Sequence, residues 1–147
     1  MKFFIAVITL VVVLTATTPV QPTSAAVSKQ TKIVQEAKKT IGVKYKTGGT
    51  TTKGFDCSGL TQYVYKKAVN NKLPRTSQQQ AQVKAKKIAV SKVKAGDLLF
   101  YGSEKAAYHV AVCIGNGQMI HAPKPGDKVK VTAIKYYKPT FAKRVVK

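Results

Sequence analysis

The sequence predicts an α+β domain in which helices come first and a mainly antiparallel β-sheet follows. Apolar residues recur at helical spacing in the first half of the chain, whereas short apolar runs separated by glycine-containing turns fill the second half. The chain has 147 residues and shows no internal repeat, which suits a single compact domain behind an N-terminal leader.

The leader is expected at residues 1–26, which have the pattern of a secretory signal peptide. Lys2 is followed by an apolar run from Phe3 to Leu14, and the segment closes with small residues. That run is shorter than the roughly 20 apolar residues that a membrane helix needs, although an uncleaved anchor is the alternative. We therefore expect a secreted, extracellular or cell-wall-associated protein, with one domain at residues 27–147 and no stable membrane span after cleavage.

The net charge is strongly positive, because 26 Lys and Arg residues stand against 5 Asp and Glu residues and give a formal charge of +21. Such a field attracts polyanions, but it carries no information about the fold. The lysines are scattered without a compact basic block, and no nucleic-acid recognition motif accompanies them. For an exported protein we therefore expect anionic wall polymers as partners, and no specific nucleic acid.

Three helices are predicted in the first half of the domain. The first spans residues 28–42 and begins with a serine N-cap. Its apolar face comprises Ile33, Val34, Ala37 and Ile41. The second helix begins at Asp56 or Cys57. The third begins at Ser77, because Ser77 and Gln80 have the spacing of a capping box.

The second half of the chain has the pattern of a sheet, with short apolar or alternating runs between turns. Strands are predicted at residues 98–101, 109–114, 118–122, 128–132 and 141–146. Residues 45–54, rich in glycine and threonine, are predicted to lack regular structure.

Cys57 lies in the first turn of the second predicted helix, where the helix dipole and free backbone N–H groups favour the thiolate. The small and polar residues beside it leave the sulfur approachable. A packed, inert cysteine is the alternative for a lone cysteine on a helix. A nucleophilic role therefore depends on a base nearby.

The chain contains two histidines, His109 and His121, on predicted strands joined by a Gly-Asn-Gly turn. A two-residue turn would pair His121 with Val112 and place the two histidines on opposite faces of the sheet. A three-residue loop would pair His121 with Ala111 and bring both imidazoles to one face. The sequence does not choose between these loops. In the second case His109 could take the proton of Cys57 while His121 orients it.

The two cysteines, Cys57 and Cys113, permit one disulfide in an exported protein. With the second register, however, Cys113 lies four residues beyond His109, or about 13 Å along the strand. That separation is too long for an easy bridge to a sulfur beside His109. We therefore expect Cys57 to remain a thiol.

Six short motifs occur in one order along the chain and together resemble the NlpC family of bacterial cell-wall cysteine peptidases, which have a papain-like fold. The similarity runs from about Lys29 to Thr132. The motifs are Tyr45-x-x-Gly48-Gly49, Asp56-Cys57-Ser58-Gly59-Leu60, Leu73-Pro74-Arg75-Thr76-Ser77, Gly96-Asp97-Leu98-Leu99-Phe100, His109-Val110-Ala111-Val112 and Ile120-His121-Ala122.

The resemblance implies that Cys57 is the nucleophile, His109 the general base and His121 the orienting residue. Members of that family typically hydrolyse the bond between γ-D-glutamate and a diamino acid in the stem peptides of peptidoglycan. The implied reaction proceeds through a thioester and needs no cofactor and no metal. Two histidines without an acidic or cysteine partner at ligand spacing also make a poor zinc site.

The resemblance further places five residues at the oxyanion site and the substrate cleft. They are Tyr45, Asp56, Ser58, Arg75 and Ser77. Arg75 suits the free carboxylate of the substrate through its bidentate guanidinium, although a surface arginine is the alternative. Asp56 has a second reading as the helix N-cap. Rival functions are a non-catalytic basic protein that binds wall or another polyanion, and a papain-like amidase or acyltransferase.

Overall fold

The computed structural model describes residues 26–147, and the predicted signal peptide lies outside the described residues. Three α-helices, two short 3₁₀ helices (Val90–Lys92 and Ile134–Tyr136) and eight strands are formed in this part of the chain, which confirms the α+β class. The helices are α1 (Lys29–Lys39), α2 (Cys57–Val69) and α3 (Ser77–Ala81). The strands are β1 (Thr50–Thr51), β2 (Gly54–Phe55), β3 (Lys86–Ile88), β4 (Leu98–Tyr101), β5 (His109–Gly115), β6 (Gln118–His121), β7 (Lys130–Ala133) and β8 (Phe141–Arg144).

Helix α1 begins as the sequence predicts and ends earlier. The Ser28 side chain accepts a hydrogen bond from the Thr31 N–H, which caps the helix. The helix ends at Lys39, so Ile41 lies outside it and is 47% exposed. The buried face consists of Ile33 and Ala37 alone. The prediction that Ile41 belongs to this face was wrong because the chain turns before another helical turn forms.

The capping box of α3 lies one residue earlier than predicted. The Thr76 side chain accepts from the Gln79 N–H at 3.2 Å, and the Gln79 side chain returns a bond to the Thr76 N–H at 3.3 Å. Ser77, the predicted cap, is the first helical residue and is buried. Thr76 and Ser77 both satisfy the motif at their own spacing, so the sequence pattern alone could not separate them.

Six strands form one sheet in the order β3-β8-β4-β5-β6-β7, and every pair within it is antiparallel. The edge strand β3 was not predicted from the sequence, because its alternation is short and rich in lysine. The segment predicted to be irregular contains the two-stranded ladder of β1 and β2. That ladder brings the glycine-rich loop against the start of α2, since the Asp56 N–H donates to the Gly49 carbonyl at 3.1 Å.

The hairpin between β5 and β6 combines the two turns considered from the sequence. Gly115 pairs with Gln118, as a two-residue turn at Asn116 and Gly117 requires, and both turn residues have positive φ. A bulge at Ile114 then shifts the register by one residue, so that Val112 pairs with Ile120. Continued along the strands, this register sets His121 opposite Ala111, and the two histidines share one face.

The core has two parts, one on each face of the sheet. Helices α1 and α2 pack on one face, against the alternate residues Val110 and Val112 of β5. Ala111 and Cys113 point to the other face, which the turn near Ile134 helps to cover. Within residues 26–147, no helix combines the length and apolar character required for a membrane span.

Candidate active site

Cys57 is the first residue of α2 and is partly buried where that helix meets the start of β5. The backbone N–H groups of Val110, the residue after His109, of Ser58 and of Cys57 itself lie close enough to the sulfur to lower its pKa. The structure therefore brings Cys57 to the start of the strand that carries His109. The described residues show no direct Cys57–His109 hydrogen bond, and such contacts often tighten only when substrate binds.

Burial raises the pKa of the Cys57 thiol and outweighs the three N–H groups that lower it. The neighbouring Asp56 carboxylate raises this pKa as well. The N–H groups at the helix terminus thus favour the thiolate, as expected, but burial is the larger effect. At neutral pH the sulfur rests as a thiol, and a base must remove its proton before it can attack.

Asp56 connects Cys57 to the surrounding loops. Its Oδ1 accepts from the Gly59 N–H at 2.7 Å and so caps α2, while its Oδ2 accepts from the Gly48 N–H at 3.0 Å. Arg75 donates to both oxygens, at 3.1 and 2.7 Å, and also to the Ser58 hydroxyl at 3.0 Å. Hydrogen bonds from Arg75, Gly59 and Gly48 hold the pKa of Asp56 below its ordinary value, although burial opposes them.

Arg75 is thus already engaged by a carboxylate of the protein itself. Its guanidinium contacts Asp56 in a bidentate arrangement, with 36% of the arginine side chain exposed. The two-point guanidinium contact that was expected with a substrate carboxylate is made here with the carboxylate of Asp56. Asp56, Ser58 and Arg75 together form a polar cluster behind Cys57.

The two histidines form the centre of a hydrogen-bonded chain of side chains. His109 Nε2 lies 2.9 Å from His121 Nδ1, and His121 Nε2 lies 2.9 Å from the Thr132 hydroxyl. If each ring carries its proton on Nε2, His109 donates to His121 and His121 donates to Thr132. That tautomer leaves His109 Nδ1 free to accept a proton. Thr132 was missed from the sequence, because its contact depends on the register of β6 and β7.

Aromatic rings enclose the histidine pair. Tyr137 packs with ring centroids 5.7 Å from His109 and 6.0 Å from His121, and it stacks on Tyr101 at 4.1 Å. The Tyr101 hydroxyl donates to the Tyr137 carbonyl at 2.8 Å and fixes this wall. Neither tyrosine was proposed from the sequence, since both reach the site from distant segments.

Burial lowers the pKa of both histidines to about 4. For His109 the neighbouring His121 lowers the pKa further, and for His121 the cation of Lys130 does so. Both imidazoles are therefore neutral at physiological pH. With a neutral thiol at Cys57, a neutral His109 is in the protonation state in which an imidazole acts as general base.

The remaining two predicted residues differ in their surroundings. Tyr45 is partly buried, and its pKa is raised first by burial and then by the negative forms of Cys57 and Asp56, which places its hydroxyl near both groups. Ser77 is buried, and its hydroxyl donates to the Ala107 carbonyl at 2.7 Å. Ser77 therefore anchors the segment that leads into His109, and a contact with substrate remains a prediction for both residues.

No cluster of three or more histidine, cysteine or acidic side chains suited to a metal ion occurs between residues 26 and 147. Cys57 and Cys113 are both free thiols. The chemical resources of the site are therefore a thiol, a neutral imidazole, hydroxyl groups and backbone N–H groups, which suit acyl transfer.

A thiol at the start of a helix, packed against an antiparallel sheet that carries the histidines, defines a papain-like domain. The chain belongs to the NlpC/P60 family, whose sequence profile matches residues 42–147. The family expected from the sequence motifs is confirmed.

Three curated relatives show how widely the similarity extends. Protein P54 of Enterococcus faecium is 49% identical over 110 residues, which cover 75% of this chain and 21% of the relative. Murein DD-endopeptidase MepH of Escherichia coli is 37% identical over 115 residues, covering 75% and 42%. Gamma-DL-glutamyl hydrolase of Bacillus subtilis is 40% identical over 103 residues, covering 68% and 24%. The chain thus spans less than half the length of these relatives.

Two solved structures have the same fold. The NlpC/p60 domain of peptidoglycan hydrolase SagA superposes with a TM-score of 0.75 at 46% identity, covering 78% of this chain and 97% of that one. RipD of Mycobacterium tuberculosis, described as a non-catalytic NlpC/p60 domain protein adapted to peptidoglycan binding, superposes at 0.67 with 32% identity, covering 82% and 99%. The family therefore includes hydrolases and at least one binding protein.

Proposed function

We propose that this chain is a secreted cysteine endopeptidase that hydrolyses the γ-D-glutamyl–diamino acid bond of peptidoglycan stem peptides. The observation that carries the proposal is the meeting of Cys57 with the strand that holds the His109–His121–Thr132 chain. Relatives named as peptidoglycan or glutamyl hydrolases support the substrate class.

The proposed reaction begins with proton transfer from the Cys57 thiol to Nδ1 of His109. The sulfur attacks the γ-carbonyl carbon, and the negative charge moves to the carbonyl oxygen. The backbone N–H of Cys57 and the Tyr45 hydroxyl stabilise that oxyanion. Collapse of the intermediate breaks the C–N bond, and the leaving amine takes the proton from His109. A thioester with Cys57 remains.

Water completes the reaction. His109 removes a proton from the water as it attacks the thioester, and the second intermediate releases a carboxylate and restores the thiol. His121 accepts the hydrogen bond from His109 and stabilises the imidazolium that forms in each half-reaction. Thr132 holds His121 in the tautomer that this role requires.

Which bond is cut is a more specific claim than peptidase activity. The names of two relatives point to different bonds. One is a DD-endopeptidase and the other a gamma-DL-glutamyl hydrolase. We favour the γ-D-glutamyl bond because the six sequence motifs resemble the NlpC family, whose members typically cut there. Secretion and attraction to anionic wall polymers are further parts of the proposal, and the N-terminal pattern and the charge of +21 support them.

Mass spectrometry of defined stem peptides incubated with the protein under reducing conditions tests the reaction. The substrates are an L-Ala-γ-D-Glu-diamino acid peptide and a cross-linked dimer that also contains D-Ala bonds. Cys57→Ala removes the proposed nucleophile, and Cys113→Ala removes the other thiol as a matched control. We expect cleavage after γ-D-glutamate with wild type and Cys113→Ala, and none with Cys57→Ala. Cleavage only at the D-Ala bond would contradict the proposed bond while keeping the peptidase.

A second candidate is a non-catalytic peptidoglycan-binding protein, because RipD has this fold and is described in those terms. This candidate predicts that folded wild-type protein binds walls without cutting any stem peptide, and that Cys57→Ala binds equally well. The hydrogen-bonded order of His109, His121 and Thr132, with the Cys57 thiol at the start of the same strand, favours the enzyme.

A further inference from the structure

A groove of about 400 Å³ runs along the sheet edge formed by β3, and its lining is mostly cationic. Its cations are Lys86, Lys87, Lys92, Lys94 and Arg144, and the remaining lining residues are Ile88 and Ala89. The scattered lysines of the sequence are therefore brought together at one place by the pairing of β3 with β8 and by the turn that follows β3.

The pairing of these strands sets like charges against one another. Lys86 lies directly opposite Arg144, and Lys87 lies directly opposite Lys143. Like charges at directly opposed positions destabilise an antiparallel pair. Two consecutive pairs of cations therefore face each other across these strands.

Two carboxylates compensate part of this charge. Asp97 accepts two bonds from Arg144 at 2.9 Å, and Glu104 lies 2.6 Å from Lys87 and 3.7 Å from Lys143. These contacts leave the lysines at the open side of the groove uncompensated.

Lys86, Lys92 and Lys94 are exposed and have no carboxylate partner among the described residues. An anion bound between them would relieve their mutual repulsion. The groove is therefore a ready site for a chain of negative charges.

We propose that this groove binds a linear polyol-phosphate polymer of the bacterial wall and holds the protein there. The inference rests on the proposed action at the wall. Regularly spaced phosphates suit a row of lysines, which bind phosphate as point charges. A single-stranded nucleic acid is less suitable, because sequence-tolerant binding relies on aromatic platforms for the bases and this lining has none among the described residues.

The groove and the histidine pair lie at different corners of the sheet. Strand β3 is three strand positions from β5, or roughly 14 Å. Arg144 lies one residue beyond the Leu98–Lys143 pair of β4 and β8, whereas His109 pairs with Tyr101 at the far end of β4. A polymer held in the groove would therefore leave Cys57 open to peptide.

The test compares two triple variants that remove the same charge from different places. Lys86→Gln, Lys92→Gln and Lys94→Gln remove the lysines of the groove. Lys66→Gln, Lys67→Gln and Lys72→Gln are the matched control, because these three exposed lysines line another pocket, of about 380 Å³. Binding is measured by sedimentation with purified walls, before and after chemical removal of the phosphate polymers. A third variant, Lys86→Arg with Lys92→Arg and Lys94→Arg, keeps the positive charge and changes only the shape of the cationic groups.

We expect the groove variant to bind intact walls on the order of a hundredfold more weakly, since each lysine near an anionic surface contributes about fivefold. The control variant should lose far less, and the arginine variant should bind like wild type. On phosphate-free walls, wild type and groove variant should bind alike. The groove variant should also show a shallower dependence of affinity on salt, because fewer counterions are released.

Several results would overturn the inference. An equal loss in both triple variants would mean that the charge acts as a diffuse field without a site. A loss that persists on phosphate-free walls would assign the groove to peptidoglycan itself. If the groove variant lost more affinity for single-stranded DNA than for walls, the groove would be assigned to nucleic acid. Cleavage of a soluble stem peptide by each variant separates this result from the proposed peptidase activity, because that substrate lacks the polymer.

Discussion

The Arg75 guanidinium holds both oxygens of Asp56, and Asp56 in turn caps the helix that begins with Cys57. The pair therefore sets the charge next to the sulfur. The negative charge of Asp56 adds to the effect of burial and raises the pKa of Cys57, whereas the positive charge of Arg75 attracts the thiolate. The cluster neutralises a capping carboxylate that would otherwise oppose formation of the nucleophile.

We predict that Arg75→Gln slows alkylation of Cys57 by iodoacetamide at pH 7 by about threefold to tenfold, since loss of the cation lowers the thiolate fraction. The pH dependence of the alkylation rate measures the effect without any substrate. Arg75→Lys retains the charge and should lose less. If Arg75 serves only to bind a substrate carboxylate, alkylation stays unchanged in Arg75→Gln and KM alone rises.

Thr132 is predicted to act through His121. Thr132→Val removes the hydroxyl that contacts His121 Nε2 and leaves a buried polar atom without its partner, at a cost of about 1–3 kcal/mol. We expect kcat to fall about tenfold with little change in KM. Thr132→Ser keeps the hydroxyl and should restore most of kcat. A larger loss in Thr132→Ser than in Thr132→Val would show that the methyl group, and not the hydrogen bond, is what matters.

Tyr137 is predicted to set the pKa of the histidines. Its ring covers both imidazoles, and removal of the ring in Tyr137→Ala admits water and raises the pKa of His109 from about 4 toward its ordinary value. In Tyr137→Ala the acidic limb of the pH profile of kcat/KM should therefore move to higher pH. Tyr137→Phe keeps the ring and should leave the limb in place. NMR titration of the two histidines provides a direct measurement, and an unshifted titration in Tyr137→Ala would contradict this role.

The buried histidine pair also predicts acid sensitivity of the fold. Unfolded histidine binds a proton near pH 6.5, whereas both folded pKa values are about 4, so the unfolded state takes up more protons between these values. The stability contributed by the neutral pair is complete above pH 6.5 and is lost as the pH falls toward 4. At about 1.4 kcal/mol per pKa unit, the upper bound is about 3 kcal/mol for each histidine.

Denaturant unfolding at pH 7 and pH 4.5 measures this loss. The double variant His109→Asn with His121→Asn cannot titrate in this range and keeps polar side chains at both positions. We expect its free energy of unfolding to vary less with pH than that of wild type. A steeper decline in the double variant would show that carboxylates govern the acid transition.

The sequence was sufficient to predict the class of fold, a helix that begins at Asp56 or Cys57 and the approximate positions of the later strands along the chain, because these depend on local periodicity. It could not settle the relation of His109 to His121, which turns on one bulged residue in the hairpin. The partner of Arg75 was also missed, because Asp56 lies 19 residues away and only the folded loops bring them together. Tyr101, Thr132 and Tyr137 join the site for the same reason: each contact depends on long-range pairing.

The bulge at Ile114 has a consequence for how this hairpin tolerates change in length. Surface hairpin tips usually accept inserted or deleted residues, since their ends are free to adjust. Here the loss of the single bulged residue would turn every side chain of β6 to the opposite face and carry His121 away from His109. The number of residues in this solvent-facing tip thus sets the strand register that brings His109 and His121 together. Variation among homologous chains should therefore conserve the residue count of this tip more strictly than its residue types.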